Sequence, residues 1–340
     1  MKLFDKIDIL SFFLFFIIII FYFFTLLVGF NSYENFKFTS DIFHHFSSIR
    51  NIYNGLGPYE GPVQQYFLGR HSYLIFYIIS PILFIYNDPK ILIIISITSI
   101  FISALLINKI SNLILKFKLI NFFITLLFFI YPIVVKSYFF DPYAFQPDIL
   151  AIPFFLFLFY SILKNNFFNV TLSCILILII KEEFILILPA LFIFSLIVNY
   201  ISNLDGIKWD KKKLIFIILI YFFFSFFSLL VLLYFRQFNN YDYLPWELTA
   251  INIESIQKIF FVCAKLLAPV IPFFILFTFY KGMTKFSLIV WFLLLSSVFL
   301  RVIENIIIYD GRPDGSAWGN FMLAPIIFIL IIISAKNILT

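Results

Sequence analysis

Apolar runs of about twenty residues, broken by short polar intervals, recur along most of the chain. A helix of that length rises about 30 Å, enough to cross the hydrocarbon core of a bilayer. The pattern therefore predicts an all-α polytopic membrane protein. The first span is expected at Ile9–Phe30, preceded by Lys2 and Lys6. It is longer than a signal-peptide core and no small-residue cleavage site follows, so it reads as an uncleaved anchor. The first long polar interval, Asn31 to His71, comes next. Within it Ser40 is placed to cap a short helix from about Asp41 to Tyr53, which Asn54-Gly55-Leu56-Gly57-Pro58 would end.

The segment Ser72–Tyr86 is apolar, carries Pro81 and is closed by Asn87-Asp88-Pro89. It is short for a span, and the basic residues decide its status. If it crossed, the Lys109, Lys116 and Lys118 loop would share a side with Asp41, and the later basic loops would lie outside, against the positive-inside rule. Read instead as an interfacial or re-entrant helix, it leaves spans near 90–107, 119–136, 148–163, 167–180, 184–200, 214–235, 257–280, 286–302 and 320–335. With the anchor, that is about ten. Both termini and most lysines then face the cytoplasm, and nearly all acids and histidines face the other side. No internal repeat is evident, so 1–340 reads as one transmembrane domain: an outer loop with juxtamembrane helices at 31–89, a core at 90–200 and C-terminal helices at 201–340.

Composition sharpens this picture. The mean hydropathy of +1.06 and 63% hydrophobic content exclude a soluble globule. The net charge of +6 would suggest nucleic acid in a soluble chain, but here the lysines fall in short loops and set orientation, so no nucleic-acid partner is expected. The 53 phenylalanines accompany abundant Ile, Asn, Lys and Tyr, a bias in composition that says little about ligands. Cys174 and Cys263 sit in apolar segments without zinc spacing or a disulfide framework.

Only 12% of residues are charged, yet the first loop gathers Glu34, Asp41, His44, His45, Arg50, Glu60, Arg70 and His71, including all three histidines. Ionisable groups are costly near lipid, so this is where chemistry is sought first. Asp41 stands at the mouth of the first span, before His44 and His45; a histidine pair could bind a metal, but no spaced third ligand accompanies it. Four further outer groups follow: Asp141 to Asp148, Lys181-Glu182-Glu183, Arg236 to Glu254, and Arg301 to Trp318. Carboxylates there can act as a general base on an acceptor hydroxyl, and Arg or Lys can hold a phosphate. Each also has a plainer explanation. Helix capping suffices for Asp148, a local Lys–Glu pair for Lys181-Glu182-Glu183, an aromatic belt for Tyr241, Tyr243 and Trp246, and turn chemistry for Gly311, Pro313 and Gly315 around Arg312.

The order of these groups resembles the GT-C superfamily of membrane glycosyltransferases, which use polyprenyl-phosphate sugars, and within it an uncharacterised bacterial group of predicted membrane proteins. That group has an aspartate-containing Ile-Phe motif in its first outer loop. A His before a Pro-bearing helix, then Phe-His-Pro-Glu and Lys-Glu-Asp motifs, follow. The counterparts here are Asp41-Ile42-Phe43, His71 with Pro81, Phe145-Gln146-Pro147-Asp148 and Lys181-Glu182-Glu183. Gln146 stands where the group has His, which removes a titratable side chain. The likeness covers most of residues 30–200 and fades to general hydropathy beyond them.

The resemblance implies a GT-C-like bundle and a catalytic or acceptor-positioning role for Asp41, with Asp141 and Asp148 as assisting acids. His44, His45, Arg70, His71, Lys181, Glu182, Glu183 and Arg312 complete the expected substrate site, Arg70, Lys181 or Arg312 holding the donor phosphate. The donor would be a polyprenyl-phosphate-linked sugar and the acceptor a glycan, lipid or protein at the outer face of a bacterial inner membrane. A divalent metal is compatible with this chemistry but not required by it. A transporter or flippase of a lipid-linked saccharide and a non-catalytic envelope-complex subunit are the alternatives. The absence of repeats and the gathering of charge at one surface favour the enzyme.

Overall fold

The computed structural model describes residues 9–61, 64–115, 117–131, 134–135, 144–201, 211–239, a few positions between 271 and 291, and 323–339. The described chain is mostly helical. In order it forms α1 (Ile9–Glu34), α2 (Asp41–Tyr53), β1 (Tyr59–Glu60), β2 (Gln65–Tyr66), α3 (Ile75–Ile79), α4 (Lys90–Ile114), α5 (Lys118–Ile130), α6 (Ala151–Leu163), α7 (Phe167–Leu178), α8 (Phe184–Ile201), α9 (Lys211–Asn239) and α10 (Leu323–Leu339). Among the described residues α1, α4 and α9 are long and apolar enough to cross a membrane by themselves. The helices α5 and α7, of 13 and 12 residues, reach only about 20 Å. The expected spans at 257–280 and 286–302 fall almost wholly outside the described residues.

Contacts divide the chain into two compact units, 1–35 with 97–141 and 251–340, and 36–96 with 142–250. In the first, Leu14, Ile18 and Thr25 form a buried stripe on α1, while Phe13, Phe16, Phe23 and Leu27 are exposed, a surface suited to lipid. The α1 stripe is flanked by a Tyr22–Thr98 hydroxyl contact of 3.0 Å and by the Phe21 ring against Phe129. Phe128 and Tyr131 pack in turn on Phe328 of α10.

The second unit is built on α6, whose Phe155, Leu156, Leu158, Phe159 and Ile162 are all fully buried. A helix apolar on every side is stable only when covered on every side. The turn at Asn165, which takes a positive φ of 52°, folds α7 back on α6, and the Asn166 side chain caps α7 by accepting from Asn169 N–H. Pro189 inside α8 cannot donate to the Ile185 carbonyl; the Tyr221 hydroxyl of α9 donates to it instead, at 2.8 Å.

The helix expected from Asp41 to Tyr53 is α2, ending at Asn54 with Gly55 at a φ of 75°. Its start differs from expectation: the Ser40 side chain makes no capping bond, and the Ser40 carbonyl accepts from the Phe43 and His44 amides. Ile42, Phe46 and Ile49 form its buried stripe. The apolar segment after His71 forms α3 and a 3-10 turn at Ser80–Phe84, about 17 Å in all, too short to cross.

Candidate functional site

Four segments of the second unit bring ionisable side chains together. The first is α2, whose helical spacing sets Asp41, His44 and His45 on adjoining faces of its first turns. The second is the β1–β2 hairpin, Tyr59 opposite Tyr66, with the chain continuing to Arg70–Tyr73. Asn239 at the end of α9 anchors it like a short extra strand, its Oδ1 accepting from Tyr66 N–H at 2.8 Å and its Nδ2 donating to Tyr66 O at 2.7 Å. The third is the 3-10 turn Pro147–Leu150 that leads into α6. The fourth is the break between α7 and α8 at Lys181–Glu183. The α3 amide of Ile75 donates to the Ile179 carbonyl at 2.8 Å, which fixes this break beside Ser72–Ile75.

The break carries three charges that are all buried: Lys181 and Glu182 are 2% exposed and Glu183 7%. Buried charges persist only when paired and hydrogen-bonded. Lys181 Nζ lies 2.8 Å from Glu183 Oε1 and 3.9 Å from Asp148 Oδ2. Glu182 turns the other way. Its Oε1 accepts from His71 Nδ1 at 2.8 Å, and its Oε2 accepts from Ser72 N–H at 2.8 Å and from Ser72 Oγ at 3.3 Å. Ser72 Oγ also lies 2.5 Å from Ser228 Oγ of α9. Burial alone would push the Glu182 carboxyl up; the His71 charge and hydrogen bond, the Lys181 charge and the Ser72 amide outweigh it and hold the group down at about 2.

A second carboxylate–histidine pair stands beside the first. His44 Nδ1 meets Glu60 Oε1 on β1, and Arg70 approaches the other Glu60 oxygen at 3.8 Å. Glu60 is buried, Arg70 exposed. Between the two pairs the His45 ring packs edge-on against Tyr73, Phe76 and Phe145, 5.5 to 5.9 Å between centroids. Burial, with the charges of His71, Arg70 and His44, pushes the His45 imidazole down to about 3 against the opposing pull of its Gln146 hydrogen bond, so it is neutral at ordinary pH. Gln146 also reaches Asp41 Oδ2 over a long 3.5 Å contact. The Tyr73 hydroxyl is pushed well above its ordinary value, first by burial and then by Asp148, Glu182 and Glu183 against the opposing charge of Lys181.

Asp41, His44, His45, Arg70, His71, Asp148, Lys181, Glu182 and Glu183 are thus linked in one cluster. Asp141 and Arg312 lie outside the described residues. Asp148 does not serve as a simple helix cap: it is buried in the 3-10 turn ahead of α6 and faces Lys181. Sequence reasoning counted Glu60 among the loop charges without giving it a role, and it missed Ser72, Ser228 and Asn239. Among the described residues no three His, Cys, Asp or Glu side chains converge as metal ligands. A separate cavity of about 360 Å³ beside Pro189, lined by Cys174, Phe192, Tyr221 and aliphatic side chains, offers no such chemistry.

Fold and site together define a helical membrane protein that encloses paired, buried charges beneath a histidine- and arginine-bearing rim. The chain belongs to the predicted membrane protein family DUF2079, whose family model matches residues 32–334. No curated protein and no solved structure matches it significantly.

Proposed function

We propose that the protein is an inverting glycosyltransferase of the GT-C type, with about ten spans and cytoplasmic termini, working at the outer face of a bacterial inner membrane. It moves a sugar from a polyprenyl-phosphate carrier to a glycan, lipid or protein acceptor. One observation supports this reading above the others. Asp41, the Phe145–Asp148 turn and the Lys181–Glu183 break, more than a hundred residues apart at their extremes, gather around Arg70 and His71.

The residues divide by access. Glu60, Asp148, Lys181, Glu182 and Glu183 are buried and engaged with one another or with the histidines, and they hold the site's charge in place. Arg70 is exposed, with its guanidinium beside Glu60, and can hold the leaving phosphate by charge-assisted hydrogen bonds. Asp41, half-buried at the start of α2, deprotonates or orients the acceptor hydroxyl. Arginine neutralises the developing phosphate charge, so a divalent metal is not required.

The test is incubation of the purified protein with a panel of polyprenyl-phosphate sugars, following release of polyprenyl phosphate. Release by the wild type, reduced about 100- to 10,000-fold by Asp41→Asn, supports the assignment. No release from any donor, with the same lipids crossing liposome membranes in the protein's presence, overturns it in favour of a flippase.

A further inference from the structure

We propose that His71 is the group that takes the proton of the acceptor hydroxyl, with Glu182 as its positioning residue and Asp41 orienting the acceptor. The inference rests on the transferase reading above and assigns one step within it.

The argument begins with Glu182. Its carboxylate is buried and both oxygens are engaged: Oε2 accepts from a backbone N–H, and Oε1 faces His71 Nδ1 at 2.8 Å. A carboxylate so held can only accept, so Nδ1 of His71 carries a proton, and in the neutral ring it is Nε2 that presents the lone pair. The tautomer needed by a general base is set before any substrate arrives. The carboxylate that sets it is held by the Ser72 amide and hydroxyl, and it stabilises the imidazolium that forms on proton transfer.

Access separates the two partners. The His71 side chain is 30% exposed and that of Glu182 is 0%, so the imidazole edge alone of this pair faces outward. The Tyr73 ring, tilted at 35° with its centroid 5.1 Å away, supports the imidazole from its own segment. The charged and titratable groups near His71 include Glu182 and Lys181 of the break, Arg70 and Tyr73 of its own loop, and His45 of α2, with Ser228 of α9 behind Ser72.

The other histidines are less suited. His45 is caged among aromatic rings. The His44 partner Glu60 is shared with the Arg70 guanidinium, which draws on the same anion that an imidazolium at His44 would need.

The step balances. The acceptor O–H proton passes to His71 Nε2 as the acceptor oxygen bonds to the anomeric carbon. The bond from that carbon to the phosphate oxygen breaks, and its electron pair leaves with polyprenyl phosphate. His71 then releases its proton to water.

The experiment uses the full chain in liposomes and measures single-turnover release from the active donor between pH 5 and 8 for wild type, His71→Gln and Glu182→Gln. Wild-type rate is expected to rise with pH along one ionisation to a plateau. His71→Gln should lose about 100- to 10,000-fold at the plateau and the ionisation with it. Glu182→Gln, retaining the imidazole, should move the ionisation to lower pH. In ¹⁵N-histidine spectra the same variant should replace a single Nδ1–H tautomer at His71 by a mixture. If the wild type turns over and neither substitution moves the pH profile, His71 is not the base while the transferase reading stands. If the wild type releases nothing from any donor, both fall. Should His71→Gln fail to accumulate, the Glu182→Gln shift decides alone.

Discussion

Tyr221 donates its hydroxyl to the carbonyl of Ile185, the acceptor that Pro189 leaves without a helical partner. Proline in a helix both kinks it and orphans the carbonyl four residues back, and in an apolar surround that carbonyl finds no water. The α9 hydroxyl therefore ties α8 to α9 one turn below the Lys181–Glu183 break.

Removing the hydroxyl should be costly only while the proline is present. Tyr221→Phe is expected to destabilise the protein by about 1 kcal/mol, the scale of hydrogen bonds within membranes. In a Pro189→Ala background the restored alanine amide can donate to Ile185, and the cost of Tyr221→Phe should shrink towards zero. Thermal unfolding of the four proteins in detergent measures this coupling. Equal costs in both backgrounds would refute it.

The Asn239 amide is used as a strand edge, offering Tyr66 both an acceptor and a donor. Asn239→Asp keeps the acceptor but loses the donor and leaves the Tyr66 carbonyl facing a carboxylate. The expected loss is about 1–3 kcal/mol. It should be seen locally, as faster hydrogen exchange at the Tyr66 amide and through the hairpin to Arg70. Unchanged exchange there would mean that the side-chain bridge does not hold the loop.

Gly69 is required for a close approach. A Cβ at this position would sit 2.8 Å from the Phe235 carbonyl oxygen of α9, a backbone atom that cannot swing aside. Gly69→Ala should therefore push the loop off α9 and cost about 1–3 kcal/mol, the range of overpacking. Gly61→Ala, with only the Ser47 hydroxyl 3.8 Å from its Cβ, is the matched control and should be close to neutral. A melting-temperature comparison of the two variants tests the contrast.

How much of this was legible beforehand follows from the range of each interaction. Helical periodicity is local, so α2, α7 and α8 fall close to their expected bounds. The acid at Asp41 and the charges at 181–183 were visible because ionisable residues in apolar surroundings demand partners. Which partners they take was not. A local pair was expected within Lys181-Glu182-Glu183, and Lys181 does take Glu183. Glu182 reaches instead to His71 and Ser72, about 110 residues away, and Ser72 to Ser228, at a separation of 156. Nothing in the sequence near Ser228 or Asn239 marks them, since a serine in an apolar helix and an asparagine at its end have ordinary local explanations. Ser40 shows the opposite failure, a local signal for capping that the side chain does not use.

The His45 imidazole should make the protein sensitive to acid. Its imidazole is held down to about 3 in the folded chain, whereas an unfolded histidine titrates near 6.5. Below that ordinary value the unfolded state binds a proton that the folded state refuses, so stability is full above about pH 6.5 and falls as pH drops towards 3. The expected slope from this one group is about 1 kcal/mol per pH unit. Acidic side chains also titrate in this range, and a variant isolates the histidine. Wild type and His45→Gln should be melted in detergent at intervals between pH 7 and 4. The wild-type melting temperature should fall more steeply, with the gap between the proteins changing steadily below pH 6.5. Parallel curves would show that the cage of Tyr73, Phe76 and Phe145 does not exclude the proton.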